Sequence, residues 1–445
     1  MKTILVLGAG FVTRPLVAYL LDQPDTRVTM ATRTVEKARK VIDGHPNGTA
    51  VQLNVEDQAA LDPVIQTADI VISLLPWTYH LDVAKRCIAH KKHLVTTSYV
   101  KPEMAALDAE AKALGLLFLN EIGVDPGIDH MAAMQVIDGV KAGGGDIQRF
   151  YSYCGGLPAL SCNDNPFGYK FSWSPSGVLL AAMNDGRYLK DGEVVNISSE
   201  GLFEHYWLVD VPGAGTFEAY VNRDALPYMD IYGIGSARDM YRGTLRNISH
   251  CESWNYFKKL GLLNRERTFD FNTTSPRAVM SALVGGDGKD IALDLAAFLG
   301  IPPYAVAIKK LGWLGLLSEK KLPLNTATPF DMFAHVLEKK LVYAPGETDL
   351  LVQHHEFDAA YPDGRREKIT ATMVDTGISG GDTAMSRTVG LPAAIGTRLL
   401  MENKIPLTGV HRPVVPEIYR PVLAELSAMG IRLEESRSAI DPADA

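Results

Sequence analysis

Cysteine is scarce. Cys87, Cys154, Cys162 and Cys251 are the four in 445 residues, and no two of them form a C-x-x-C pair. That excludes a zinc framework of paired thiolates and a scaffold built on disulfides. Basic charge is also short: Lys and Arg total 44 against 52 for Asp and Glu, a net charge of −8. Without a basic excess, neither nucleic acid nor an anionic membrane surface is an expected partner. No apolar run approaches the roughly 18 residues of a membrane span. The run over residues 4–7 breaks at Gly8, too short for the core of an export signal. The expectation is a cytoplasmic protein with a small-molecule substrate. What is present is ordinary globular composition, 47% hydrophobic and 22% charged, and at roughly 150 residues per domain the length suggests about three domains.

The first 120 or so residues alternate between two periods. Residues 3–7, 27–31, 50–53, 70–74, 93–96 and 116–119 are short runs rich in Val, Ile and Leu, and amphipathic stretches such as 35–42 and 102–114 separate them. Continuous apolar strands separated by helices indicate a parallel sheet covered on both faces, a Rossmann-type doubly wound α/β domain. The rhythm then changes. Asp125-Pro126 reads as the N-cap and N1 of a helix, with the carboxylate held ionised by the helix field, and Gly143-Gly144-Gly145 as its end. Residues 149–220 read as strand and loop, 251–341 as helical, and Pro362-Asp363-Gly364 as a hairpin turn between two strands. Helix returns over 392–401 and 419–429.

Gly8-Ala9-Gly10-Phe11-Val12-Thr13 follows the first strand and opens a helix. Gly8 permits the tight turn and Gly10 lets the backbone approach a pyrophosphate at the helix N-terminus, with Thr13 in place of a third glycine. The second strand ends Thr32-Arg33-Thr34, with no carboxylate before Glu36. A guanidinium flanked by hydroxyls suits a ribose 2′-phosphate and a carboxylate would repel it, so the expected cofactor is NADP(H) rather than NAD(H).

Further blocks are distinctive: Thr96-Thr97-Ser98-Tyr99, the run from Asn120-Glu121 through Asp125-Pro126-Gly127 to Asp129-His130, Tyr153-Cys154-Gly155-Gly156, Gly168-Tyr169-Lys170-Phe171-Ser172-Trp173-Ser174, and Arg242-Gly243-Thr244-Leu245-Arg246. In order and spacing, over nearly the whole chain, they resemble the saccharopine reductase family, the NADP-dependent, L-glutamate-forming saccharopine dehydrogenases. The resemblance implies three parts: an NADP-binding domain of residues 1–124 plus 391–445, a mixed α/β substrate domain of 125–250 plus 342–390, and a small all-α insertion of 251–341. It implies interconversion of saccharopine with L-glutamate and L-2-aminoadipate 6-semialdehyde through an imine, and a homodimer. It further implies that the cofactor meets Phe11, Val12, Asn54, Val55, Leu75, Thr97, Ser98, Val124, Asp125, Pro126 and Ser174 besides the residues above. Substrate would meet Ser98, Tyr99, Asp125, Arg223, Thr244, Leu245 and Arg246.

A ligand with three carboxylates and two amines needs cationic forked donors and an anionic partner, which Arg223, Arg246 and Asp125 would supply. Proton transfers during imine formation point to Tyr99, Asp125 and Cys154 as catalytic candidates. Gly155-Gly156 after Cys154 suggests backbone room for a ligand. Set against these readings, Ser98 and Tyr99 could be hydroxyl caps of the helix starting near Pro102, and Cys154 an ordinary buried thiol. His354 and His355 are adjacent on a predicted strand and face opposite sides, so no metal site is expected there. Two other functions are open: an imine reductase of the carboxynorspermidine dehydrogenase type, and a non-catalytic NADP-binding sensor.

Overall fold

The computed structural model describes residues 1–286 and 288–440. Among them are two compact units, one of residues 1–147, 231–234 and 357–440, the other of 148–230, 235–286 and 288–356. The first unit opens with β1 (Lys2–Leu7), α1 (Thr13–Leu21), β2 (Thr26–Thr32), α2 (Val35–Ile42), β3 (Gly48–Gln52), α3 (Gln58–Gln66) and β4 (Ile70–Ser73). It continues with α4 (His80–His90), β5 (His93–Thr96), α5 (Pro102–Ala105), α6 (Asp108–Ala113), β6 (Leu117–Leu119) and α7 (Ile128–Ala142). Strands β1 to β6 stand in the order β6-β5-β4-β1-β2-β3, all parallel, as the continuous apolar runs require. Leu5, Leu7, Val71, Leu94 and Phe118 lie fully buried within it.

The second unit is built on β7 (Asp146–Pro158), α8 (Pro175–Ala181), β8 (Gly186–Lys190), β9 (Glu193–Ile197), β10 (Tyr206–Val211), β11 (Gly215–Val221), α9 (Pro227–Ile231) and β12 (Asp239–Arg246). Its mixed sheet runs β10-β11-β12-β7: β12 is parallel to β7 and antiparallel to β11. The helical stretch follows: α10 (His250–Lys259), a short β13 (Phe269–Asp270), α11 (Pro276–Val284), α12 (Ile291–Leu299), α13 (Val306–Leu314), a paired β14 (Thr326–Ala327) and α14 (Pro329–Lys340). It is not a separate compact unit. Phe257 and Trp313 pack on Phe167 with ring centroids 6.0 and 5.9 Å apart, and Lys310 on α13 bonds Ser249 ahead of α10. These apolar and polar ties join the helices to the sheet's own loops.

β15 (Asp349–Ala360) lies next to β7, and the predicted turn at Gly364 (φ 87°) leads into β16 (Arg366–Thr376). The chain has by then returned to the first unit, at residue 357. There α15 (Ala384–Met401), β17 (Gly409–His411), α16 (Pro416–Ala428) and β18 (Glu434–Ala439) complete it. β17 adds a seventh parallel strand beside β6, and β18 pairs antiparallel with β16. α15 packs on α1 at Gly390, where a Cβ would stand 2.8 Å from the Val12 carbonyl oxygen. No described helix is long and apolar enough to cross a membrane.

Candidate active site

The phosphate loop has the geometry its sequence predicts. Gly8 sits at φ 109° with a virtual Cβ 3.0 Å from the Leu74 carbonyl oxygen, so only glycine fits the turn; around Gly10 there is open space. α1 starts at Thr13 with no acidic residue in its first turn and no side-chain cap from Val12. The Thr13 Oγ1 is buried without a hydrogen-bond partner. Unmet donors and a positive helix end fit a pyrophosphate. At the end of β2, Arg33 is exposed, and among the described residues it forms no ion pair. Thr34 is the N-cap of α2 but makes no side-chain cap bond, so its hydroxyl is open to a ligand. Asn54 follows β3 and its Oδ1 accepts from the Glu56 amide; Leu75 follows β4. These residues and Phe11, 63% exposed, gather along the carboxyl ends of the strands, where open α/β sheets take ligands. Ser174 belongs to the other unit, where its hydroxyl caps α8 by accepting from the Gly177 amide.

Beyond β5 the alternative role of Ser98 and Tyr99 as hydroxyl caps is not met. The N-cap of α5 is Lys101 and makes no side-chain bond. The Ser98 Oγ instead lies 2.8 Å from His80 Nε2, and His80 Nδ1 lies 2.9 Å from the Ser73 Oγ. Burial holds the His80 pKa down to about 4, so the ring is neutral and can only donate from one nitrogen while accepting at the other. No sequence motif marked His80; the first residue of a helix, it reads as an unremarkable polar position. Thr97 packs by Gly123, whose virtual Cβ is 3.2 Å from its Cβ.

Asp125 is not the helix N-cap. α7 begins two residues later, with Gly127 at the N-cap, because backbone carbonyls take its first amides: Ile128 N–H donates to Gly123 O (2.9 Å) and Asp129 N–H to Val124 O (3.0 Å). The Asp129 carboxylate accepts from the Gly127 amide. Asp125 is thereby released from capping, and its Oδ1 accepts from the Tyr99 hydroxyl at 2.8 Å. The two proton-transfer candidates of this unit are hydrogen-bonded to each other.

In the second unit, register decides which residues share a face. Thr244 stands opposite both Cys154 and Tyr220, and Arg246 opposite Glu218, so these five lie on one side of the sheet. Leu245 points to the other side. There it fills the space beside Gly155, whose virtual Cβ would be 2.7 Å from the Leu245 carbonyl oxygen. The room that Gly155 opens is therefore occupied by Leu245 rather than left for a ligand.

Arg246 is the exceptional group. It is 6% exposed, its Nη1 donates to the Leu245 carbonyl (2.8 Å), its Nε has no hydrogen-bond partner, and it forms no ion pair with a described carboxylate. The opposite residue, Glu218, cannot serve, because its two oxygens accept from the Ser249 and Cys251 amides at 2.7 Å each. Tyr169 lies below the guanidinium at 5.1 Å. Next to it His250, stacked on Tyr220 at 6.1 Å, is held neutral by burial first and then by Arg246 and Lys310. Burial lowers the Lys310 pKa to about 8. A buried guanidinium with unfilled donors and no protein anion suits a ligand carboxylate. Arg223 is exposed at φ 62°, just past β11. His354 and His355 are both buried and pack on different rings, Tyr153 and Phe150, as opposite faces require. No metal-ligand cluster occurs among the described residues.

The saccharopine dehydrogenase NADP binding domain matches residues 4–119 and the saccharopine dehydrogenase C-terminal domain matches residues 123–431. The chain belongs to the saccharopine dehydrogenase family. The saccharopine dehydrogenase [NADP(+), L-glutamate-forming] of Schizosaccharomyces pombe is 37% identical over 98% of this chain and 99% of its own length. The Saccharomyces cerevisiae enzyme of the same name is 38% identical over 98% and 100%. A solved structure of the apo, L-Glu-forming saccharopine dehydrogenase from Saccharomyces cerevisiae superimposes with a TM-score of 0.89, covering 99% of this chain and all of that one at 36% identity. The mitochondrial alpha-aminoadipic semialdehyde synthase of Bos taurus is 37% identical over 97% of this chain, which spans 47% of that longer protein. The α/β fold and the NADP-binding character read from the phosphate loop are those of this family.

Neutral buried imidazoles give this family member a pH signature. His80 folded titrates near 4 against 6.5 when free. A depressed pKa contributes stability that is complete above the unfolded value and is lost as pH falls through the folded one. Glu121, held down to about 2 from 4.5, acts only at lower pH. Unfolding free energy is therefore expected to fall between pH 7 and pH 5, with about 2 kcal/mol from His80. Urea denaturation at the two pH values should show the drop, and His80→Gln should shrink it. An unchanged drop in the variant would mean His80 does not carry it.

Proposed function

We propose that this chain is an NADP(H)-dependent CH–NH oxidoreductase that interconverts saccharopine with L-glutamate and L-2-aminoadipate 6-semialdehyde, within lysine metabolism. The observation that carries this reading, beyond family membership, is Arg246: a buried forked cation left open because Glu218 is committed to the α10 amides. A carboxylate of the substrate is the fitting occupant. Arg223 lies beyond the position opposite Arg246 by five residues of β strand and bend, roughly 16 Å of backbone, which suits a ligand with carboxylates at separated points. The polyamine-type reading has fewer anions to place on the same two arginines and is the weaker.

NADP, which the loop from Gly8 to Thr13 and Arg33 would hold, would supply the hydride acceptor for the substrate carbon that carries the secondary amine. The residues of this chain handle binding and protons. Arg246 and Arg223 hold carboxylates, with Thr244 beside Arg246 on the same face. Asp125 faces the amine as an anion, and the Tyr99 hydroxyl bonded to it passes a proton to or from the nitrogen or the carbinolamine oxygen. Ser98, fixed by His80, orients cofactor and substrate. Cys154, next to Thr244 across the ladder, is a second proton carrier. Water addition to the imine then releases glutamate and the semialdehyde.

The reading is tested by following NADP reduction with saccharopine and with carboxylated polyamine conjugates offered separately. Turnover with a polyamine conjugate and none with saccharopine would overturn it. Binding of NADPH with no turnover of any of them would leave the sensor reading. A homodimer in the cytoplasm completes the proposal, checked by light scattering for twice the 48.5 kDa of one chain.

A further inference from the structure

Glu121 is 1% exposed, holds φ 56°, and lies between β6 and the loop that carries Asp125. Nothing in the reaction requires a carboxylate there, and burying one costs several kcal/mol unless donors surround it. The donors are specific. Glu121 Oε1 accepts from the Val100 amide (2.8 Å) and from Arg412 Nε (2.7 Å), and Oε2 lies 2.8 Å from His130 Nε2. His130 Nδ1 in turn lies 2.6 Å from the Tyr232 hydroxyl. The Glu121 backbone N–H donates to the Ser98 carbonyl at 3.2 Å.

Ser98 and Val100 are the two neighbours of Tyr99. One residue thus holds the chain on both sides of Tyr99, through its amide on one side and its carboxylate on the other. It also anchors the far end of the hydrogen bond that Tyr99 makes. Asp125 is four residues further along the same loop, and His130 fixes to the carboxylate the helix that ends this loop. Arg412, just past β17, brings the returning C-terminal segment to the same oxygen.

We propose that Glu121 is a positioning residue that sets the Tyr99–Asp125 hydrogen bond for the reaction. The proposal deepens the functional reading above and rests on it: Tyr99 must act at the reacting bond. Loss of the carboxylate leaves Tyr99 held on one side only and lowers its share of productive geometry, which reduces the chemical step and not cofactor binding.

The test is a double-mutant cycle between Glu121→Gly, which keeps the positive φ and removes the carboxylate, and Tyr99→Phe. Saccharopine oxidation gives kcat and KM, and fluorescence titration gives the Kd for NADPH. Glu121→Gly is expected to lower kcat about 30-fold, with KM and the NADPH Kd within about threefold of wild type. In the Tyr99→Phe background the same change should cost no more than about threefold, because the group it positions has gone. Full multiplication of the two losses would overturn the proposal, since a merely structural role adds to any other defect. A slow Tyr99→Phe beside a normal Glu121→Gly would also overturn it, and would leave the site reading intact. A normal Tyr99→Phe would sink the site reading itself. Should Glu121→Gly not fold, the isosteric Glu121→Gln serves in the same cycle, with a smaller loss and the same non-additivity.

Discussion

Arg246→Ala is expected to lower kcat/KM for saccharopine by about 10²- to 10³-fold, the effect of losing a desolvated charge-assisted pair, with NADPH affinity unchanged. The unusual part is stability. Most substitutions of a fully buried side chain destabilise. Arg246 has an unbonded Nε and no described carboxylate partner, so in the free protein it is a desolvated charge with an unfilled donor. Arg246→Met, which keeps the stem packed on Tyr169, should therefore inactivate the enzyme while leaving the Tm level or higher. Arg246→Lys keeps the charge and loses the fork, and should fall between wild type and Ala in kcat/KM. A saccharopine kcat/KM within about threefold of wild type in Arg246→Ala would remove Arg246 from the substrate site. A Tm fall of many degrees in Arg246→Met would show that the guanidinium is a structural group.

Arg33→Asp is expected to raise the Kd for NADPH about 10²-fold or more and to change that for NADH only severalfold. The substitution exchanges a charge-assisted hydrogen bond to the 2′-phosphate, about 1.5–3 kcal/mol, for repulsion of two anions at the end of β2. Because Arg33 is exposed, the difference should narrow at high salt. Arg33→Ser, neutral and still able to donate, should lie between. Equal losses for the two dinucleotides would place the 2′-phosphate elsewhere. The Thr34 hydroxyl, which makes no cap bond, is the next group to examine in that event.

The nucleotide half of the molecule is legible in the sequence because its information is local. Period, β-branched runs and a glycine turn act over a few residues. They place β1 to β6 within a residue or two of the predicted runs, α2 at its predicted span, and Gly8 at a turn that glycine alone fits. Asp125 departs from its local signal for the same reason. Asp-Pro before a helix is a local cap signal, but the amides at the start of α7 were already taken by the carbonyls of Gly123 and Val124, which requires a folded loop.

What the sequence by itself determined is the parallel α/β unit, the NADP loop, the hairpin at Gly364 and, through its distinctive blocks, the family. Only the tertiary structure decided which groups the candidate site residues meet. It turned Leu245 away from Arg246, committed Glu218 to an amide pair and so left a buried guanidinium open. It also put His80 behind Ser98 and Glu121 on both sides of Tyr99. The physical reason is that a donor's availability depends on every acceptor within 3 Å of it, and donor and acceptor can lie as far apart in the chain as Arg412 and Glu121.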